Sequence, residues 1–360
     1  MTTHASYAFM IRALSQAVNA SDRDSNLQFL PLAHAFGRLE HLAGYERGFE
    51  TWFAENLDTV AQDLLVAGPT IVYGVPRVFE KIYSRVMGSV EASSPLRRKV
   101  FRWSLGVGRR ASRASQAGNA LAPGLRVARA IADRLVFSTL KARVGGRIRF
   151  FVSGGAPLAR EIAEFFHAAG ILILEGYGMT ETSTASHINR YDRFKFGTVG
   201  PPLPGVEQKI AEDGEILLRG PNIFQGYHRD PAATEEALDR EGWLHTGDIG
   251  EIDEEGFLRI TDRKKDLIVT AGGKNVAPQN VENLLKTDPY ISQAMVHGDR
   301  RKFCSAVIVL NHEAVMRWAE RAGLAEREFA SLAAHPKVRD LLQRSIDEKN
   351  KQLAPYEQIK

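Results

Sequence analysis

The stretch from Arg147 to Gly178, RIRFFVSGGAPLAREIAEFFHAAGILILEGYG, constrains the fold of this chain more than any other. Two short apolar runs, RFFVS and ILILE, flank a segment of helical period that Pro157 opens and Gly170 stops. A strand, a helix and a second strand in that order form a right-handed crossover, which sets two parallel strands in one sheet. Upstream the alternation continues. Residues 5–18 and DTVAQDLLVAG read as helices, NLQFLP and PTIVYGVP as strands, and PRVFEKIYSRVMGSV as a helix begun by Pro76. The expectation is an α/β domain built on a parallel sheet.

In such sheets ligands bind outside the carboxyl ends of the strands. Both strands of the crossover end there in glycine-rich loops, SGGAP and EGYGMTET. Gly154, Gly155, Gly176 and Gly178 let the backbone approach a flat ligand without a Cβ in the way. Tyr177 offers a ring face, Thr180 a hydroxyl for phosphate, and Glu181 a hard oxygen for Mg²⁺. The plain alternative stands beside this one: Gly-Tyr-Gly as a turn, Thr-Glu as a helix cap. No Walker-type G-x-x-x-x-G-K-[ST] occurs in the chain.

From about Thr198 the apolar runs shorten and glycine and proline become frequent, which reads as antiparallel hairpins with DEEG as one turn. A small barrel or sandwich beside the sheet is expected. Within it, Asp248 in GWLHTGDIG stands just before a strand, either as a ligand for two ribose hydroxyls or as an Asx-turn. Arg263 adds a donor for the sugar or a phosphate, or else a solvated charge at a domain edge. The charged run DRKKD places a boundary at Lys264–Lys265, after which helices and strands resume.

In this order, LPLAHAFGR, SGGAPL, EGYGMTET, GTVGPPLPG, GEILLRG, GYHRDP, GWLHTGDIG and DRKKDLIVTAGGKNVAP resemble the adenylate-forming ligase superfamily, and the last segment is most similar to bacterial long-chain fatty acid–CoA ligases. The resemblance implies an α/β fold: an incomplete parallel-sheet adenylate-forming domain over 1–263 with a small β-barrel subdomain over 198–262, and a partial, mobile α+β C-terminal domain over 264–360. It implies ATP or AMP, Mg²⁺ and coenzyme A as cofactor and substrates, and a fatty acid as the group activated. It makes Gly154, Gly155, Ala156, Glu175, Gly176, Tyr177, Gly178 and Met179 nucleotide-binding, with Gly155 and Ala156 lining the adenine and Tyr177 stacked on it, and puts Asp248 and Arg263 on the ribose. Thr180 falls to phosphate, Glu181 to the metal, His34 near the reacting carboxylate, and Lys265 to the hinge of the small domain. Gly272, Gly273 and Lys274 would swing toward the thiol channel. A histidine such as His34, taken without its motif, more commonly packs or caps a helix.

Two parts of the family pattern lie outside this sequence, which implies a chain truncated at both ends. The phosphate loop of the type T-S-G-T-T-G-x-P-K-G would precede THASY, and a lysine in a segment like P-T-x-K would follow YEQIK; Lys360 comes too early to be it. Asp262 stands where many members have glycine. Alternatives kept open are an acyl-AMP ligase serving a carrier protein and a non-catalytic nucleotide-binding module.

Between Arg97 and Arg149 fourteen Arg and Lys face a single acid, Asp133, although the net charge of the whole chain is only +4. This basic segment reads as two helices broken at NALAPG, and serves as a solvated face, a contact with anionic lipid, or an attractor of CoA or ATP phosphates. No nucleic-acid recognition motif accompanies it. The lone Cys304 in FCSAVIVL excludes an internal disulfide and a cysteine metal cluster, and reads as a small buried apolar residue. No run reaches the roughly 18 apolar residues of a membrane span. The N-terminus lacks a signal-peptide layout, so a cytoplasmic protein is expected, with the basic segment touching the inner face of a membrane. Oligomeric state leaves no trace in the sequence.

Overall fold

The computed structural model describes residues 1–324, 326 and 328–360. The chain divides into two compact units, one of 1–79 with 93–260, the other of 80–92 with 261–360.

In the first unit, α1 (His4–Val18), β1 (Ser25–Gln28), α2 (Ala35–Arg47), β2 (Glu50–Phe53), α3 (Val60–Ala67), β3 (Ile71–Gly74) and the start of α4 (Pro76–Glu91) follow the expected alternation. α5 (Pro95–Gln116), α6 (Pro123–Ala132) and α7 (Ser138–Ala142) carry the basic segment, with a π turn over Asp133–Phe137 between the last two. Then come β4 (Phe150–Ser153), α8 (Arg160–Ala168), β5 (Leu172–Tyr177) and β6 (His187–Ile188). Among the described residues the main sheet has the order β2-β1-β3-β4-β5-β6. Its pairs are parallel through β5, and β6 runs antiparallel to β5.

Strand alternation decides what each face buries. Ile71, Tyr73, Phe150, Val152, Leu172 and Leu174 join Met10 and Leu14 of α1 and Leu39 of α2 in one core. On the opposite face Phe151 meets Phe79, with ring centroids 5.3 Å apart, and Phe79 meets Phe166 of α8. A parallel sheet covered on both faces needs continuous apolar strands, and β3, β4 and most of β5 are buried throughout. At the foot of the sheet, Asp24 accepts from Ser21 N (2.9 Å), Thr70 Oγ1 (2.8 Å) and Arg149 Nη1 (2.6 Å). Burial pulls the Asp24 carboxyl up, but Arg149, Ser21 and Thr70 outweigh it and hold it below its ordinary value.

Pro157 does not open α8, as the sequence suggested. The Leu158 N–H is taken by the Glu175 carboxylate, Ala159 stays extended, and the helix begins at Arg160. The expected barrel is realised as a four-stranded antiparallel sheet of order β10-β9-β8-β7, formed by β7 (Glu207–Ile210), β8 (Glu215–Arg219), β9 (Leu244–Ile252) and β10 (Leu258–Arg263), with α9 (Pro231–Ala237) between β8 and β9. Its strands β7 and β10 are the two edges of that order. The DEEG turn joins β9 to β10, where Asp253 Oδ1 accepts from the N–H groups of Glu255 and Phe257.

The second unit holds β11 (Ile268–Val269), β12 (Asn275–Val276), α10 (Pro278–Lys286), β13 (Ile291–His297), β14 (Ser305–Leu310), α11 (His312–Arg321), α12 (Phe329–Ala334) and α13 (Pro336–Asn350). Val276, Val281, Leu285, Ile291, Val296 and Cys304 form its core. Cys304 is fully buried and burial raises its thiol pKa, as the reading of a packing residue requires. The unit begins at Thr261, ahead of the Lys264–Lys265 boundary inferred from charge, and includes Glu80–Ala92 from the middle of the chain.

Candidate nucleotide site

The two glycine loops lie side by side because β4 and β5 pair in register, Ser153 opposite Glu175. The first loop leaves Gly155 and Ala156 exposed, with Gly155 at φ +82°. Gly154 is buried against the ring of Phe36, which a Cβ at this position would approach to 3.3 Å. The start of α2 thereby reaches the loop. His34 is the N-cap of that helix, accepting from Phe36 N at 3.2 Å with the ring exposed, so its observed work is capping.

Glu175 turns inward. Burial pushes its carboxyl up to about 8, against the pull of the Leu158 and Gly197 N–H groups that it accepts. It ties the first loop and the segment around Gly197 to the end of β5, which makes its side chain a brace for the rim. Gly176 pairs with Ile188. Gly178 sits so close to the returning chain that a Cβ would fall 2.1 Å from the Thr184 carbonyl oxygen.

Tyr177 donates its hydroxyl to Asp248 Oδ2 at 2.6 Å, across 71 residues of sequence. Behind the ring stands His187, centroid 6.0 Å away, and burial depresses its pKa to about 4 despite the Gln208 hydrogen bond. The imidazole is therefore neutral near pH 7, and the ring of Tyr177 rests on an uncharged neighbour. Tyr177 and Met179 also pack against the cluster of Ile216, Leu218, Leu244 and Leu258 of the antiparallel sheet and Phe224 of the segment after β8. Asp248 lies within β9 rather than before a strand. Gly247, at φ +71°, has the look of a turn, but its N–H goes to Glu215 Oε1 at 2.8 Å and the strand runs on through an irregular register.

Thr180 is exposed at the start of a 3₁₀ turn, Thr180–Thr182, whose cap comes from Thr182 Oγ1 accepting Met179 N at 3.0 Å. Capping chemistry is thus present, but on the hydroxyl two residues later. Glu181 Oε1 accepts from the Tyr227 hydroxyl at 2.8 Å. Burial and that bond push the Tyr227 phenol up to about 12, so it remains a donor. Among the described residues no three His, Cys, Asp or Glu gather into a metal cage. An ion that arrives with a nucleotide needs only one or two carboxylates beside phosphate oxygens, and Glu181 fits that requirement.

Arg263, Lys265, Gly272, Gly273 and Lys274 belong to the second unit. Arg263, the last residue of β10, and Lys265, in the turn after it, are both exposed, and Asp262 Oδ1 accepts Arg263 N at 2.7 Å. Gly272–Lys274 form the exposed tip of the β11–β12 hairpin, closed by Thr270 N to Lys274 O at 3.0 Å and Gly273 N to Thr270 O at 2.8 Å.

Residues 1–228 match the family model described as AMP-binding enzyme, and residues 265–360 match the AMP-binding enzyme C-terminal domain. The chain belongs to the AMP-binding enzyme family. Among curated members, the long-chain-fatty-acid–CoA ligase FadD15 of Mycobacterium tuberculosis is 40% identical over 337 residues, covering 93% of this chain and 55% of that protein. Human long-chain-fatty-acid–CoA ligase 1 is 33% identical over 366 residues, covering 97% and 51%. The chain thus spans about half the length of these curated relatives. Among solved structures, ATP-bound MatB from Rhodopseudomonas palustris superposes with a TM-score of 0.67 at 25% identity, over 100% of this chain and 60% of that one. The adenylation domain of a carboxylate reductase from Mycobacterium chelonae gives 0.69 at 24%, over 93% and 47%.

In this member of the AMP-binding enzyme family, two neighbours of the candidate residues escaped the sequence reading. Tyr227 lay inside the quoted GYHRDP, and its contact with Glu181 spans 46 residues. His187, wholly buried behind Tyr177, carries no motif signal at all.

Proposed function

We propose that this chain carries the adenylate-binding rim of an AMP-forming long-chain fatty acid–CoA ligase. In that reaction the fatty acid carboxylate attacks the α-phosphate of ATP and pyrophosphate leaves. The CoA thiol then attacks the acyl carbon and AMP leaves. The observation that carries the reading is the Tyr177–Asp248 hydrogen bond at the shared ends of β4 and β5. It sets an aromatic face and a carboxylate side by side, as a base and its ribose require. Gly155 and Ala156 line the opposite lip, and Thr180 and Glu181 continue toward the phosphates. Mg²⁺ would neutralise phosphate charge next to Glu181, whose carboxylate Tyr227 orients. His34 is assigned to the neighbourhood of the acyl carboxylate, Arg263 to the nucleotide, Lys265 to the hinge, and Gly272–Lys274 to the thioester step. The partners are a fatty acid, ATP and CoA in a cytoplasmic setting, with the basic segment as the side that meets a membrane.

Isothermal titration with AMP tests the rim. Tyr177→Ala should weaken binding by roughly 1–3 kcal/mol, the scale of base–aromatic stacking, while Tyr177→Phe keeps most of the affinity. Equal losses in the two variants would assign the effect to the hydroxyl and remove the stacking role. Glu181→Gln should weaken Mg²⁺-dependent ATP binding by about tenfold and leave AMP unchanged; parallel losses for both nucleotides would sink the metal assignment. Supplying palmitoyl-AMP and CoA asks for the second step alone. Thioester formation supports the ligase reading, and AMP binding without it favours a binding module.

A further inference from the structure

His187 is a buried polar side chain that the proposed reaction does not use. It lies on β6 directly opposite Tyr177 in the β5–β6 register, so the two side chains share one face of the sheet. The residue is fully buried, and its ring stands 6.0 Å from the Tyr177 ring at an angle of 43°. A histidine in such a place is ordinarily filler. Here both ring nitrogens are engaged: Nδ1 lies 2.9 Å from Ser186 Oγ, and Nε2 lies 2.8 Å from Gln208 Oε1.

The far end of this chain of bonds decides which atom donates. Gln208 Nε2 donates to the Gly256 carbonyl oxygen at 3.2 Å, which orients the amide and leaves Gln208 Oε1 as an acceptor. His187 Nε2 therefore carries the hydrogen. Burial keeps the imidazole neutral, with a single N–H, so Nδ1 accepts. The Ser186 hydroxyl has one hydrogen for two acceptors, Nδ1 at 2.9 Å and the Tyr177 carbonyl oxygen at 3.2 Å. That carbonyl already receives Ser186 N–H at 2.8 Å, so the hydroxyl serves Nδ1. The bonds run one way, from Ser186 through His187 and Gln208 to Gly256. They tie β6 of the main sheet to β7 and to the β9–β10 turn. Both of these belong to the antiparallel sheet, whose strand β9 carries Asp248.

We propose that His187 is a positioning residue for the nucleotide: through its bond to Gln208 it holds the antiparallel sheet against the main sheet, so that Asp248 meets the ribose of a base stacked on Tyr177. It touches no substrate. A phenylalanine would supply the ring behind Tyr177 and a glutamine the directed N–H; the imidazole supplies both. The inference rests on the nucleotide reading of the rim and adds the residue that keeps its two halves aligned.

Calorimetric titration of the whole chain tests this with two ligands, AMP and dideoxy-AMP, which lacks both ribose hydroxyls. The temperature is one at which circular dichroism shows every variant folded. His187→Phe keeps a ring behind Tyr177 and ends the bond to Gln208, and Gln208→Leu ends the same bond from β7. Each should weaken AMP binding by about tenfold, the scale of one buried donor or acceptor left unpaired, and leave dideoxy-AMP binding within about twofold of the parent. His187→Gln, whose amide still donates toward Gln208, should hold AMP within about threefold of the parent. A heteronuclear NMR spectrum of the parent without nucleotide should show His187 as the Nε2–H tautomer. The Nδ1–H tautomer overturns the inference. So does parental AMP affinity in both His187→Phe and Gln208→Leu, or an equal loss for the two ligands, which is what general loosening of the fold would give. Those results leave the nucleotide reading standing, because the parent still binds AMP; a parent that binds neither ligand removes both.

Discussion

Gly178→Ala is expected to destabilise the first unit by about 3 kcal/mol and to abolish AMP binding. The added methyl would meet the Thr184 oxygen at 2.1 Å and the Ala185 Cα at 2.5 Å, both backbone atoms. No rotamer change relieves a clash with main chain. The segment cannot simply move aside, because Ser186 N bonds Tyr177 O at 2.8 Å and Thr184 N bonds Met179 O at 3.1 Å. Opening that turn displaces Tyr177 and with it the bond to Asp248. Urea unfolding and AMP titration read the two effects separately. Gly272→Ala is the control, since a methyl there meets nothing within 4 Å; a surface change of that kind stays within about 0.5 kcal/mol. A Gly178→Ala protein with parental stability and affinity would show that the tight return at 178–185 does not shape the site.

Glu40→Gln is expected to change how stability depends on pH. Glu40 is fully buried in α2; Asn26 Nδ2 donates to its Oε1 at 2.9 Å, and Oε2 has no hydrogen-bond partner. Burial pushes this carboxyl up to about 8, with the Asn26 bond pulling the other way. In the unfolded chain it titrates near its ordinary value of about 4.3. Between those two values the folded protein holds a proton that the unfolded chain has released. Its contribution is therefore full below the unfolded value and is lost progressively as pH rises toward 8. Glutamine keeps the Oε1 acceptor and carries no proton to lose. The variant should be more stable than the parent at pH 8, by on the order of 3 kcal/mol, and similar at pH 5. Urea unfolding across that range would reject the argument if the two proteins lose stability in parallel. Glu175 shifts the same way, so Glu40→Gln flattens the profile without levelling it. Asp24 works in the opposite sense, its stabilisation fading as pH falls through its depressed value.

What the sequence made legible was whatever local pattern and two-faced burial decide. The strands 150–153 and 172–177, the crossover helix between them and the break in the basic segment at 117–122 could be read directly. A run buried on both faces leaves little else for those residues to do. Other features depend on partners that no window of sequence contains. Asp248 read as standing just before a strand, as a ribose ligand or an Asx-turn, whereas it lies within β9, where Glu215 from a neighbouring strand accepts the Gly247 N–H. Pro157 looked like a helix start until Glu175 claimed the Leu158 N–H. The order β2-β1-β3, which folds the chain back across β1, has no signature in spacing. The candidate site followed the same division. Tyr177, Asp248 and Glu181 were named as candidates from their motifs, whereas Tyr227 and His187 became visible only as their neighbours.

The parallel pairing of β1 through β5 bears on how the molecule is made. None of these strands meets its partner through a tight turn, and β3 must wait for β4 until the whole of α4 to α7 has been synthesised. On the ribosome, β1, β2 and β3 emerge as a half-formed layer with one long apolar edge unsealed. For that interval the open edge of β3 is a template for pairing with other chains, until β4 arrives to close it.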